Sequence, residues 1–309
     1  MRGIFIRIRK RSISDSELKK YTAIIKVTAL EILSEPVALL LLLSALVLAI
    51  MAPAFHYHQF GEATRMSLDA GFSALFVAGS VFAVSMSIKS FRKEIESGTL
   101  DMVLSHSVSR SGFFLAKFAG VLLSFLVFAF IVFSVTTTVV NGASIGAMIA
   151  EDKCDIARLW GPSFACAMAS IVLPMTIGGL LNWKLYFRFV PTVFMLTLPI
   201  ALAGMVYRFD SALFLRLLPV GIAIACFDIV FLAAGAAFAS RFKTNVAIAC
   251  TTLTVVAFLP FVGNHILTDV LSKNGSVDLK LLFFSLLLSL AAIVAFLISR
   301  IRQDRRIAL

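Results

Sequence analysis

The acid best placed to do chemistry in this chain is Asp228, alone inside the apolar run Ile-Ala-Cys-Phe-Asp-Ile-Val-Phe. A carboxyl at bilayer depth is costly against lipid, so Asp228 is expected to face the helix bundle or a cavity and to pair with something. Two roles are open for it: a substrate-pathway or protonation group, or a protonated or hydrogen-bonded residue that holds helices together. Gly142-Ala143-Ser144-Ile145-Gly146 fits the G-x-S-x-G string of serine hydrolases. That chemistry requires a strand-to-helix elbow with a histidine and an acid beside it. His265 is the only suitably placed histidine, and small residues easing close helix packing explain the glycines better. His56 and His58, spaced i and i+2, offer two transition-metal ligands and fall short of a site. Cys154, Cys166, Cys226 and Cys250 show no metal spacing. Three of them lie in apolar runs as small soft hydrophobes, and Cys154 falls in a loop without an obvious partner. Neither a metal nor a cofactor is expected on this chain.

The richest stretch is Lys89 to Lys117, a charged, glycine-broken island between two long apolar runs. Glu, Lys, Arg and Ile are adequate helix formers, so the preceding helix is expected to continue through Glu96. Ser97-Gly98 then stops it, because glycine takes the left-handed conformation past a helix end without steric cost. Thr99 is expected to N-cap a short second helix, with Asp101 in the first turn where the helix dipole favours an acid. That helix presents Leu100, Met102, Val103 and Leu104, flanked by Glu94, Glu96, Asp101 and Arg110. Apolar anchors framed by charge read as a plug for a groove on another protein. The alternative is a loop helix lying on the bilayer.

The elements that must carry this island are set by composition. Of the 309 residues, 60% are hydrophobic and 15% charged, and the mean hydropathy is +0.98. These values exceed those of ordinary globular domains and predict an all-α polytopic membrane protein. About 20 apolar residues cross the roughly 30 Å hydrocarbon layer as a helix. Eight windows qualify: 37–55, 70–88, 118–140, 162–181, 190–207, 217–239, 246–267 and 281–299. They are continuously apolar instead of alternating, which argues against barrel strands.

Cations set the expected orientation. With a cytoplasmic N-terminus, the inner segments hold 21 of the 28 Lys and Arg and the outer loops hold 7. This bias predicts that both termini are cytoplasmic and the number of spans even, and the expected location is the cytoplasmic (inner) membrane. The net charge of +11 is met by anionic lipid head groups and needs no nucleic acid. The first apolar run is long enough to stay as an anchor, so no cleaved secretory signal is expected. Ser14-Asp15-Ser16-Glu17 has capping-box spacing, which predicts a helix from near Asp15 to Glu35 that Pro36 ends. Leu18, Tyr21, Ile25, Thr28 and Ile32 share one face, with Lys19, Lys20 and Lys26 off it, as in an interfacial amphipathic helix. The expected organisation is thus a basic tail and interfacial helix (1–36), a transmembrane domain (37–299) and a basic cytoplasmic tail (300–309). The expected outer loops, 56–69, 141–161, 208–216 and 268–280, are too short for a folded external domain. The 29 phenylalanines are expected as ordinary filling of lipid-exposed helices.

The order Glu94-x-Glu96-x-Gly98-Thr99-Leu100-Asp101, then Leu104, then Val108-Ser109-Arg110 and Lys117, resembles the cytoplasmic loop after the second span of ABC-2 type permeases, the membrane subunits of ATP-binding-cassette transporters. Two positions depart from the family's pattern: Val103-Leu104 replaces a leucine pair, and Ser107 stands where proline is usual. The junction from Ala236 to Ala249, with Ser240-Arg241 and Asn245, also resembles the family's boundary between late spans. Six spans are usual there, so windows 162–181 and 190–207 are expected as an inserted helical hairpin. The resemblance implies that the loop is a coupling helix docking on a separate ABC ATPase. It further implies two copies of that ATPase, which bind ATP and Mg, and a second permease protomer in a homodimer or heterodimer. The pattern G-x-x-x-x-G-K-[ST] is absent from this chain, so ATP hydrolysis is expected on the partner and the chain itself is not expected to be an enzyme. The expected function is ATP-driven substrate translocation. Rival readings are a secondary transporter using Asp228 as a coupling-ion site and a non-transporting membrane scaffold.

Overall fold

A computed structural model describes residues 15–51, 63–96, 110–149, 156–185, 188–207, 210–240 and 242–262, together with 287, 288, 291 and 292. All regular structure among them is helical: α1 (Asp15–Leu33), α2 (Pro36–Met51), α3 (Ala63–Glu96), α4 (Arg110–Ile149), α5 (Ile156–Leu185), α6 (Phe189–Tyr207), α7 (Ser211–Ala239) and α8 (Thr244–Val262). Helices are the outcome these sequences favour in lipid, because each backbone donor finds its acceptor within the same segment.

Among the described residues, five helices are long and apolar enough to cross a membrane, or six if the bent pair α1–α2 counts as one span. Seven of the eight expected windows coincide with helices. The eighth, 281–299, lies outside the described residues except at four helical positions, where Leu288 and Ala292 pack on the core. Several expected loops are shorter than foreseen, since residues 63–69, 141–149, 156–161 and 211–216 are helical. Their polar residues do not break the helix while its backbone bonds continue. With 34 and 40 residues, α3 and α4 are about 51 and 60 Å long at 1.5 Å per residue. Both therefore project well beyond a hydrocarbon layer of about 30 Å.

The helix α1 starts where expected and stops at Leu33, and Pro36 opens α2 instead of merely ending α1. Proline suits a first helical position, where its missing N–H has no partner to lose. The two helices meet at 64°. Thr28, Ala29, Ile32 and Leu33 of α1 are buried while Lys19, Lys20 and Lys26 are exposed, and the buried face lies on α4. Gly120 makes this crossing close: a Cβ there would stand 2.9 Å from the Ile25 carbonyl oxygen and 2.8 Å from Thr28 Cβ. Ser124 Oγ donates across the same crossing to the Ala29 carbonyl at 3.3 Å.

The helices α3, α4 and α7 form the centre, with 78, 67 and 61% of an apolar 18-residue stretch of each buried, against 22 and 28% for α5 and α6. The pairing of Phe91 with Phe114 and of Phe72 with Phe133 makes α3 and α4 antiparallel. α3 and α7 run parallel, with Gly79 against Asp228 and Gly235 against Ser87. α5 and α6 form an antiparallel hairpin, Gly178 against Val193, which packs on α4. Among the described residues, phenylalanine is not mainly lipid-facing filling. Phe72, Phe82, Phe91, Phe125, Phe128, Phe194, Phe227 and Phe231 are fully buried, and Phe82 stacks on Phe128 at 4.8 Å. Flat rings fill the seams between long helices at native density, and offset pairs add about 0.5–1.5 kcal/mol each.

Candidate functional site

The island's two stems are α3, which ends at Glu96, and α4, which begins at Arg110. Gly98, Thr99, Leu100, Asp101, Leu104 and Val108 lie outside the described residues, as do His56, His58, Cys154 and His265. Arg110 is the first residue of α4. The two remaining island residues, Glu94 and Glu96, stand in an ionic cluster that binds four helices together at this end.

At the centre of the cluster, Lys117 of α4 donates to Glu94 Oε1 of α3 at 2.6 Å. The lysine side chain is only 2% exposed, and its ammonium lies 5.9 Å from the centroid of the Phe113 ring. A cation so deeply placed needs its anion, because an unpaired buried charge costs several kcal/mol. The pair therefore fixes the spacing of the two stems. On the outer side of α3, Lys89 donates to Glu35 at 2.5 Å and Lys93 pairs with Glu31. These pairs are half exposed, so each contributes at most about 1 kcal/mol. Their value is positional, since they hold the α1–α2 bend against the end of α3. Arg92 donates through both Nε and Nη2 to Glu96 Oε1, at 3.1 and 2.7 Å. Thr244, the first residue of α8, donates to the same oxygen at 3.0 Å. The hydrogen bonds from Arg92 and then from Thr244 hold the Glu96 carboxyl below its ordinary 4.5, because they favour the charged form.

The chain thus joins α3 to α1, α4 and α8 immediately before residue 97. From the sequence, Glu94 and Glu96 are expected to face a partner and Lys117 is only a cation entering a span; here all three are engaged within the chain. The cluster that Glu31, Glu35, Lys89, Lys93, Arg92 and Thr244 form with them is not expected from the sequence. A signal was present: acids four apart at 31 and 35 match cations four apart at 89 and 93, the spacing that puts each pair on one helix face.

Two grooves border the cluster. One, of about 690 Å³, lies between α3 and α8, with Ser80, Val84 and Ile88 facing Ile248 and Thr252 below Glu96 and Thr244. The other, of about 940 Å³, is walled by Val27, Leu30, Pro191 and Met195 and rimmed by Lys93 and Arg188. Asp228 lines neither. It is fully buried, with Oδ2 2.3 Å from where a Cβ on Gly79 would stand and Phe125 beside it. Gly142 to Gly146 lie inside the continuous helix α4, so the elbow that a G-x-S-x-G nucleophile requires is not formed there. Cys166, Cys226 and Cys250 are free thiols, and no group of three or more His, Cys, Asp or Glu converges on a metal position among the described residues.

No family model matches the chain, and neither a curated protein nor a solved structure does.

Proposed function

We propose that this chain is the permease subunit of an ABC-2 type transporter, coupling ATP hydrolysis by a separate ATPase to movement of a substrate across the cytoplasmic membrane. The observation that carries the reading is the ionic cluster at the base of residues 97–109, with the buried Lys117–Glu94 pair at its centre. A loop that merely rested on a bilayer gains nothing from stems locked to each other and to two further helices. A loop that receives force does, because a push on it then moves α1, α3, α4 and α8 as one body.

In this reading the protein crosses the membrane eight times, with α5–α6 as a hairpin added to a six-span core and both termini cytoplasmic. Gly98 reverses the chain, Leu100 and Leu104 fill a groove on the ATPase, and Asp101, Val108 and Arg110 set register. Two ATPase copies, which hold ATP and Mg, and a second protomer complete the assembly. Anionic lipids neutralise its basic inner face.

The test is recovery of an ATP-hydrolysing partner from detergent extracts. Gly98→Pro, or Glu96→Arg combined with Arg110→Glu, is expected to abolish recovery while membrane insertion persists. Undiminished recovery from both variants counts against the docking role. ATP-dependent flux in vesicles separates transport from scaffolding, and flux without nucleotide identifies a secondary transporter.

A further inference from the structure

Asp228 is the one fully buried carboxyl among the described residues, and neither of its oxygens has a hydrogen-bond partner among them. Its surroundings explain why it finds no cation. The nearest charged positions along α3 are Asp69 and Lys89, each ten residues from Gly79, or about 15 Å along the helix axis. On α4 the nearest is Lys117, eight residues or about 12 Å from Phe125, and it is already paired with Glu94. On α7 itself Arg216 is twelve residues away, about 18 Å, and α8 carries no charged residue. The thiol of Cys226 lies two residues back on α7, which turns it to the opposite face. An ion left among Phe125, Gly79 and the surrounding core would forfeit its hydration for nothing. A neutral carboxylic acid there forfeits far less, and its small hydroxyl fits against a glycine that has no side chain to offer.

We propose that Asp228 is a proton-binding site secluded at the α3–α7 crossing, with the proton as its resident ligand and Gly79 as the lid that closes it. The site is unsuited to a metal cation, since no group of three or more His, Cys, Asp or Glu converges there among the described residues to replace a cation's hydration shell. It opens to exchange only when α3 moves off α7, which makes this carboxyl a built-in reporter of that movement. The proposal stands independently of the transport reading.

The experiment is infrared spectroscopy of the full-length protein in lipid nanodiscs between pH 6 and 8. A protonated-carboxyl carbonyl band is expected throughout that range, lost in Asp228→Asn and slow to shift in D₂O. Gly79→Ala, which puts a methyl onto Oδ2, is expected to shift the band and speed its exchange at least several-fold. Should Asp228→Asn fail to fold, carbon-13 labelling of aspartate in the wild-type protein assigns the band by its isotope shift, and Gly79→Ala then locates it. Absence of the band at pH 6, or a band unchanged in both variants, overturns the proposal; an ionised Asp228 with a cation elsewhere in the chain would give the former.

Discussion

Lys117 of α4, almost wholly buried, is held at 2.6 Å by Glu94 of α3, and this pair closes the base of the island. Removing one partner strands the other's charge, so Glu94→Gln or Lys117→Met alone is expected to destabilise the protein by about 3–5 kcal/mol. The double variant replaces both charges at once and is expected to recover most of that loss. Thermal unfolding in detergent micelles across the four-protein cycle measures the coupling. Additive losses would show that the two side chains do not depend on each other.

The tether between α3 and α8 depends on pH through Glu96. Its carboxyl is held low by Arg92 and Thr244, so the folded protein binds a proton there less readily than the unfolded chain does. The resulting stabilisation is complete above the ordinary carboxylate value of 4.5 and is lost as pH falls through the lower folded value. Glu96→Gln is therefore expected to be the less stable protein at neutral pH, with the difference from wild type shrinking as pH falls below the ordinary carboxylate value and through the lower folded one. Paired melting curves across that range check the sign.

Gly120 sets the distance between α1 and α4. A methyl group there meets a backbone oxygen and a Cβ, neither of which a rotamer change can move, so the helices must part. Gly120→Ala is expected to cost about 1–3 kcal/mol, as overpacked cores do. The gap it opens is also expected to break the Ser124 bond to Ala29. A spin-label distance between α1 and α4 reads the separation, and an unchanged distance refutes the argument.

The outward pairs at Lys89 and Lys93 are expected to behave differently from Lys117. Their half-exposed ammonium groups are screened by salt, so Lys89→Ala and Lys93→Ala should each shift stability by less than about 1 kcal/mol. Raising ionic strength is expected to shrink that difference further, which melting at low and high salt will show.

Much of this protein was legible along the chain. Continuous apolar windows located seven helices, because lipid allows a lone segment only one way to satisfy its backbone. The continuation of α3 through Glu96, the start of α1 at Asp15 and the break between α7 and α8 were also local matters, decided by helix formers, a cap and a polar junction. Apart from the i,i+4 pair Arg92–Glu96, the partners of these side chains were not local. Glu94 meets Lys117, Glu96 meets Thr244 and Asp228 meets Gly79 only because α3 lies between α4, α7 and α8. Periodicity along one helix gives the face a residue occupies but not what stands opposite it. That choice is made where close-packed helices cross, at glycines and phenylalanines whose shapes admit few neighbours.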